Sequence, residues 1–395
     1  MPMESHINSA VSYPRAVDAA EPLLYNTAVK ILHTSDVHLR EHEDERWEAL
    51  TLILALGKSE DIGLLVVSGD LFDSEAAGER LRPRLQAVFD SAGFPVVLLP
   101  GNHDREAYPP GSYFGRSVRV IRSLEQPVQV ADVRVWGMPF EDLREEEVLA
   151  GLRAAAGALA AVSGSRGGSG SRGGGSGVDI LLIHGELLDV SGDWQNYGEE
   201  GDQRYMPMKL RYFASLPWDY VLAGHFHTRF TLRQLRSGAF FVYPGSPVSV
   251  GRRETGVRKV NLFEAGGPPQ ERVLDSRYFH RMQIRLDPFG GENPLERLKA
   301  EIAALPDNAR LLLRVAGHYD QSRLGMGERE LVAAVEEAAA GRSEELAFEI
   351  QDIHEILADE LAQWFGARLR ERGMGEERES RIRDMAVRAM MGMKS

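Results

Sequence analysis

The sequence predicts an α/β fold in which sheets and helices form a layered sandwich, followed by a smaller α/β unit and terminal helices. Strand-like apolar runs alternate with helical stretches early in the chain, and consecutive strands follow later, which indicates mixed rather than purely parallel sheets. The 395 residues also exceed the size of about 250–300 residues at which a single core stops growing. We therefore expect one large domain with appendages.

The large domain is predicted over residues 29–275, where short apolar runs indicate strands and apolar positions at helical spacing indicate helices. The predicted strands are Val29–Thr34, Leu64–Ser68, Pro95–Leu99, Val128–Trp136, Asp179–Ile183, Tyr220–Leu222, Phe240–Tyr243 and Val257–Phe263. The predicted helices are Asp44–Leu56, Glu75–Ser91 and Leu143–Val162. Residues 163–177 contain only Gly, Ser and Arg, a composition typical of a flexible surface loop.

Three segments flank the large domain. Residues 1–28 show no regular periodicity, and we expect a disordered leader. Residues 276–351 are a second α/β unit, predicted as strand Phe279–Leu286, helix Glu292–Leu305, strand Arg310–Ala316, helix Gly327–Ala340 and strand Leu346–Gln351. Residues 352–395 form two amphipathic helices, Ile353–Leu369 and the Met-rich Glu376–Met393, which either pack on their own chain or dock a partner.

Composition excludes several classes of site. The chain has no cysteine, so disulfides, thiolate nucleophiles and cysteine zinc sites are excluded, and His, Asp, Asn and Glu remain as metal ligands. The formal charge of -13 argues against a basic protein that coats nucleic acid, although it does not exclude a nucleic-acid substrate. No apolar run reaches the roughly 18–20 residues of a membrane span, so we expect no membrane contact and a cytoplasmic location.

Metal-competent side chains follow five of the apolar runs directly. The segments are Thr34-Ser35-Asp36-Val37-His38, Ser68-Gly69-Asp70-Leu71-Phe72-Asp73, Pro100-Gly101-Asn102-His103-Asp104, Ile183-His184-Gly185 and Ala223-Gly224-His225-Phe226-His227. Strand ends at one edge of a sheet are where α/β proteins place active sites, because the strands fix the backbone while the turns aim side chains. Each segment alone could be a capped turn with a surface histidine. Together they hold five of the eleven histidines, which favours one shared site.

This ordered set of motifs resembles the calcineurin-like metallophosphoesterases over about residues 29–265. The resemblance implies a two-sheet sandwich flanked by helices, with two divalent metals at the strand ends and one carboxylate bridging them. The ligands it implies are Asp36, His38, Asp70 and His227 for one metal, and Asp70, Asn102, His184 and His225 for the other. It also implies that His103 is a catalytic histidine that does not bind metal.

Residue chemistry agrees with this assignment. Two metals need a short anionic bridge, which Asp70 could supply, and a mixed nitrogen and oxygen donor set suits Mn, Fe, Co or Zn better than Mg or Ca. We expect two Mn²⁺ ions, partly from the resemblance. Asp73 is spaced as in family phosphatases whose aspartate orients the catalytic histidine, and Asp104 is the competing partner of His103. Protonated His103 could assist the leaving alkoxide.

Within the family, three segments look most like DNA-repair nucleases of the SbcD and YhaO kind. They are Leu32-His33-Thr34-Ser35-Asp36-Val37-His38-Leu39, Gly69-Asp70-Leu71-Phe72-Asp73 and Tyr243-Pro244-Gly245-Ser246-Pro247. This resemblance implies a DNA exonuclease or endonuclease of double-strand-break repair, with residues 276–351 as a cap and the terminal helices docking an SMC-like ATPase. The alternative is a small-molecule phosphodiesterase or phosphatase, for example one acting on a cyclic nucleotide. The sequence leaves open a homodimer, and whether Arg229, Arg252 and Arg253 contact a phosphate backbone.

Overall fold

The computed structural model describes residues 28–164, 177–189, 205–288 and 293–394. The predicted leader lies outside the described residues except for its last residue, and so do residues 165–176 of the Gly/Ser loop. Both expectations therefore remain predictions.

Twelve strands and four helices make up the larger part of the described chain. The strands are β1 (Lys30–Thr34), β2 (Leu64–Ser68), β3 (Val96–Leu99), β4 (Val118–Val120), β5 (Val128–Val130), β6 (Val133–Met138), β7 (Val178–His184), β8 (Tyr220–Gly224), β9 (Thr231–Arg236), β10 (Ala239–Tyr243), β11 (Lys259–Glu264) and β12 (Gln270–Val273). The helices are α1 (Glu45–Ser59), α2 (Glu75–Asp90), α3 (Glu145–Gly164) and α4 (Leu210–Ala214).

These strands form two six-stranded sheets. The first has the spatial order β12–β11–β1–β2–β3–β4, and the second has the order β5–β6–β7–β8–β10–β9. In the first sheet β1 to β4 are parallel and β11 and β12 are antiparallel to their neighbours. In the second sheet β6, β7, β8 and β10 are parallel, with antiparallel edges. Mixed sheets in a sandwich are therefore confirmed.

Burial on both faces explains the continuous apolar runs of the central strands. In β2, Leu64 and Val66 belong to a core between the two sheets, whereas Leu65 and Val67 face the helices α1 and α2. The outer face of the second sheet packs in the same way against α3 and α4. Strands covered on both sides lose the alternation of polar and apolar residues, since neither face meets water. The result is a helix–sheet–sheet–helix arrangement.

The second unit is a three-stranded parallel sheet with helices. Its elements are β13 (Tyr278–Leu286), α5 (Pro294–Ala303), β14 (Ala309–Tyr319), α6 (Gln321–Leu324), α7 (Glu328–Ala338) and β15 (Ser343–Asp352). Helices α5 and α7 share its apolar core. The unit contacts the sandwich through the backbone N–H of Gly256, which donates to the carbonyl of Phe279, and through the side chain of Asn308, which donates to Asp275.

Three helices end the described chain: α8 (His354–Leu357), α9 (Glu360–Glu371) and α10 (Glu376–Lys394). The prediction of one helix over Ile353–Leu369 is wrong, because Asp359 interrupts it and caps α9 by accepting from the N–H of Leu361. Val387 of α10 packs against Ile353 and Ile356. No helix in the described ranges has the length and apolar character of a bilayer crossing.

Two further predictions need correction. The single strand Val128–Trp136 is an antiparallel pair, β5 and β6, joined by a tight turn in which Ala131 has a φ of 51°. Strands β4, β9 and β12 were not predicted. All four residues of β12 are exposed, so this edge strand lacks the apolar pattern on which the predictions rest.

Candidate metal centre

The five motif segments meet at one edge of the sandwich. They follow the carboxyl ends of β1, β2 and β3 in one sheet and of β7 and β8 in the other. Parallel strands place their carboxyl ends along the same sheet edge, and the two sheets bring these edges together. The backbone N–H of His225 accordingly donates to both carboxylate oxygens of Asp36, at 3.0 and 3.1 Å, which connects β1 to β8 across the sheets.

Backbone strain is concentrated at this edge. Of the eight non-glycine residues with positive φ in the described chain, four are predicted ligands: Asp36, His38, Asp70 and His225. Such conformations cost about 1–3 kcal/mol each and persist where the surroundings fix them, commonly at functional sites. Here the N–H of Asp36 donates to the carbonyl of Gly69 at 3.1 Å, and the N–H of His38 donates to that of Asp70 at 3.0 Å.

One set of predicted ligands lies on the β1 side. Asp36, His38 and His227 are buried, and one donor atom from each lies within 4.8 Å of the others. The Nε2 atoms of His38 and His227 are 3.2 Å apart, and His227 Nε2 is 3.6 Å from Asp36 Oδ1. The three donor atoms therefore face a common point.

Asp70 lies between this set and the second one. Its Oδ2 is 3.8 Å from His38 Nε2 and 3.2 Å from His184 Nε2, so it faces both groups. Its Oδ1 accepts from the backbone N–H of His103 at 3.0 Å. Among the described residues Asp70 Oδ2 is buried and accepts no well-formed hydrogen bond, which is costly for a carboxylate oxygen unless a cation contacts it.

The second set lies around His184, the last residue of β7. Its Nδ1–H donates to the carbonyl of Ser68 at 2.9 Å, which directs Nε2 toward the site. The carbonyl oxygen of the Asn102 side chain is 2.8 Å from this Nε2. The ring centroid of His225 is 5.5 Å from that of His184. His184 and Asn102 therefore place an imidazole nitrogen and an amide oxygen close to Asp70.

The electrostatics of the site favour a cation. Burial opposes charge on His184, but Asp70 raises the pKa of His184 to about 9. Burial likewise opposes charge on His227, but Glu254 and Asp36 raise its pKa well above 6.5. Burial alone would raise the pKa of Asp36 and Asp70, yet the neighbouring histidines hold both below the ordinary range. The field that stabilises protonated histidines here would stabilise divalent cations, because it acts on any positive charge.

The residues present fit two divalent metals. The buried Oδ2 of Asp70 has no hydrogen-bond partner among the described residues and faces both ligand sets. The donor set contains aspartate, histidine and asparagine without cysteine, a mixture of oxygen and nitrogen donors that suits divalent first-row metals. Asp36, His38 and His227 would hold one ion, Asn102, His184 and His225 the other, and Asp70 would contact both.

The sequence model of the calcineurin-like phosphoesterases matches residues 29–229, more than half of the chain. The chain belongs to this family. The matched range contains all seven predicted ligands of this calcineurin-like phosphoesterase and ends just after the Gly-His-Phe-His motif of β8.

Two characterised proteins with sequences similar to this chain are a DNA repair protein and a component of a nuclease. The DNA double-strand break repair protein Mre11 of Saccharolobus solfataricus is 26% identical over 239 residues, which cover 55% of this chain and 54% of that protein. The D component of the nuclease SbcCD of Bacillus subtilis is 35% identical over 86 residues, 19% of this chain and 22% of that protein. The chain thus spans about half of the first relative and about a fifth of the second.

The predicted catalytic residues occupy different parts of this phosphoesterase site. His103 is accessible to solvent, and its ring lies edge-on to that of His38 with centroids 4.8 Å apart. Asp73 pairs with Arg40 and Arg46, each at 2.9 Å, and its Oδ1 is 3.8 Å from His38 Nδ1. Its closest described partners are therefore arginines and His38, and its proposed action on His103 remains a prediction.

Asp104, the competing partner of His103, is fully buried beneath the loop. Its carboxylate accepts from the backbone N–H groups of Gly101 at 2.7 Å and Phe72 at 3.1 Å, and from the hydroxyl of Tyr108 at 2.9 Å. Burial and the charge of Asp70 raise the pKa of Asp104 to about 7. These contacts give Asp104 a role in shaping the loop that carries Asn102.

Glu254 is a buried residue at this site that sequence reasoning missed. Its Oε1 is 3.0 Å from Nδ1 of His227, although 27 residues separate them along the chain. It lies in an irregular segment between β10 and β11, so neither spacing nor periodicity marks it. Only the tertiary fold brings it to the ligand.

Gly69 is required by the close approach of His184. A Cβ atom at Gly69, whose φ is +95°, would lie 2.0 Å from His184 Nδ1. We expect Gly69→Ala to displace His184 and lower metal binding at least about tenfold, since even changes outside the ligand shell cost this much. Metal titration of the purified variant checks this. Gly93→Ala is the matched control, because Gly93 has a φ of +87° and no atom near its Cβ position.

Both variants should lose about 1–2 kcal/mol of stability from left-handed backbone strain. Only Gly69→Ala should lose metal. Equal metal binding by the two variants would contradict the packing of His184 against Gly69.

Proposed function

We propose that this protein is a Mn²⁺-dependent phosphodiesterase that cleaves DNA in double-strand-break repair. The observation that carries the proposal is the convergence of five buried, metal-competent residues at one site of a calcineurin-like phosphoesterase: Asp36, His38, Asp70, His184 and His227. Divalent cations held there supply Lewis-acid activation of water and shield the charge of the phosphate. DNA as the substrate is supported by the similarity to Mre11 and to the D component of the nuclease SbcCD.

The chain's own residues have distinct tasks in this reaction. Asp70 and the two sets of neighbouring ligands would hold the cations, and His103 lies beside His38 and Asp70. The ring of His103 is accessible to solvent, so it can meet a bound phosphodiester and hold a proton for the leaving alkoxide. Asp73, paired with Arg40 and Arg46, fixes the β2 turn beneath His38.

The decisive assay compares substrates under one set of conditions. Purified protein with Mn²⁺ is offered linear double-stranded DNA, single-stranded DNA, a cyclic nucleotide and bis(p-nitrophenyl) phosphate, and chelator removal of the metal should abolish all activity. We expect cleavage of DNA to exceed that of the cyclic nucleotide. Preferred hydrolysis of the cyclic nucleotide would replace the DNA proposal with the small-molecule alternative. An Asp70→Ala preparation controls for contaminating nuclease.

A protein partner, an SMC-like ATPase, is proposed for the terminal helices. Their described surface exposes large apolar side chains, with Trp364 of α9 59% exposed and Met385 of α10 65% exposed. Such adaptable apolar surfaces suit helix-in-groove or coiled-coil contacts. Val387 and Met390 instead pack inward against α8.

Deletion of residues 376–395 tests this partner. We expect the truncated protein to keep Mn²⁺-dependent hydrolysis of bis(p-nitrophenyl) phosphate and to lose co-purification with the ATPase. The measurements are a pull-down and a hydrolysis assay on the same preparation. Retained complex formation would contradict the docking role, and an unfolded product would show that α10 mainly packs on its own chain.

A further inference from the structure

We propose that Glu254 is a positioning residue of the metal centre, which holds His227 so that its Nε2 points at the cation. The inference rests on the proposed metal centre and not on DNA being the substrate. It goes beyond the ligand set, because Glu254 would contact no metal and no phosphate. It acts through His227 alone.

The carboxylate of Glu254 is built into the protein. The residue is 1% exposed, and its Oε1 lies 3.0 Å from His227 Nδ1. The backbone N–H groups of Val250 and Gly251 donate to its two oxygens at 2.8 and 3.1 Å. A carboxylate this buried is stable only when its oxygens are satisfied, and these contacts satisfy them in one orientation.

This orientation determines the tautomer of His227. Because a carboxylate only accepts, Nδ1 of His227 must carry the proton and donate it to Glu254. In the neutral ring, the form that binds a metal, Nε2 then presents its lone pair to the side where Asp36 Oδ1 lies 3.6 Å away and His38 Nε2 lies 3.2 Å away. A carboxylate behind a ligating histidine also raises the basicity of the ring, which strengthens its bond to a metal.

A second buried charge holds the backbone of His227. Arg258 is 2% exposed, and its guanidinium donates to the carbonyls of His227 and Glu254, and to that of Ser246 at 2.9 Å. The side chain of His227 is therefore held by Glu254 and its backbone by Arg258. Both partners lie in the segment between β10 and β11, so this one segment fixes the whole ligand.

The same segment is anchored to the second α/β unit. The hydroxyl of Ser249 donates to the carbonyl of Glu254 at 2.6 Å and accepts from the N–H of Phe279 in β13 at 3.2 Å. Arg252 also pairs with Glu345 of β15 at 3.2 Å, but both side chains are largely exposed, so this ion pair contributes little to the anchor. The support of His227 thus differs from that of His184, whose Nδ1 is held by the Ser68 carbonyl within the sandwich itself.

Metal titration of metal-free protein tests the proposal. Wild type, Glu254→Gln and Glu345→Gln are titrated with Mn²⁺ and followed by electron paramagnetic resonance, which counts free ions. We expect Glu254→Gln to bind one of its two ions about 10- to 100-fold more weakly, with the other unchanged. Glu345→Gln, which removes an exposed carboxylate paired with the same segment, should match wild type. Wild-type affinity at both sites in Glu254→Gln would overturn the proposal.

A second measurement tests the proposed orientation of His227 if Glu254→Gln fails to fold. In wild-type protein loaded with diamagnetic Zn²⁺, nitrogen-15 spectra should show His227 protonated at Nδ1 and metal-bound at Nε2. Metal bound at Nδ1 would overturn the proposal. If the wild-type protein binds no ion in either experiment, the metal centre itself is refuted. That result differs from a failure of the Glu254 proposal alone, in which the wild-type protein still binds ions.

Discussion

Replacing Asp70 with alanine should abolish binding of both divalent cations and lower phosphodiester hydrolysis by roughly 10³-fold or more. Its Oδ2 faces His38 on one side and His184 on the other, so its loss removes an anionic donor from both ligand sets. Lewis-acid stabilisation contributes several kcal/mol to the transition state, and each ~1.4 kcal/mol is a factor of ten in rate. Metal analysis of the desalted variant and a hydrolysis assay measure the two losses.

Asp61→Ala is a matched control for this variant. Asp61 has the same φ of 51° as Asp70 but lies on the exposed surface after α1, so it reproduces the backbone strain without touching the site. It should bind two equivalents of metal and remain active. If Asp70→Ala also binds two equivalents with wild-type affinity, Asp70 is not the bridging ligand.

Replacing His103 should lower catalysis but leave metal binding intact, unlike the replacement of Asp70. We expect His103→Ala to lower kcat on DNA by about 10²- to 10⁴-fold, the usual contribution of a general acid. The loss should be smaller for bis(p-nitrophenyl) phosphate, whose leaving group needs no proton. Paired kinetics on the two substrates, with metal content measured in parallel, check this.

His280→Ala is the control, since His280 is a half-buried histidine on β13 outside the site. Unchanged turnover of DNA by His103→Ala would remove His103 from the mechanism. Loss of a metal equivalent would make His103 a ligand, an arrangement its placement near Asp70 and His38 also permits.

The candidate site could be predicted from the sequence where its metal-competent residues directly follow the ends of strands. Each strand signal is an apolar run, and each run leads within a few residues to its Asp, Asn or His. Glu254 could not be found in this way, because its contact with His227 spans 27 residues and an irregular segment. The arginine partners of Asp73 were missed for the same reason, since they depend on how the turn after β1 folds over the turn after β2.

The fold could be predicted from the sequence where a buried strand or helix carries a recognisable pattern of apolar residues. The central strand β2 is buried along its whole length and was predicted with its observed bounds. The exposed edge strand β12 was missed, because a strand that lies in water needs no apolar residues and so lacks the apolar pattern. The division of Val128–Trp136 depends on Ala131 adopting a left-handed backbone, a conformation that alanine rarely takes.

Anomalous diffraction from crystals of the Mn²⁺-loaded protein tests the central claim most directly, because it locates the ions without relying on activity. The account predicts two manganese peaks about 3.5–4 Å apart at the carboxyl ends of β1, β2, β3, β7 and β8, with Asp70 in contact with both. A single peak, or two peaks that Asp70 does not bridge, would contradict it.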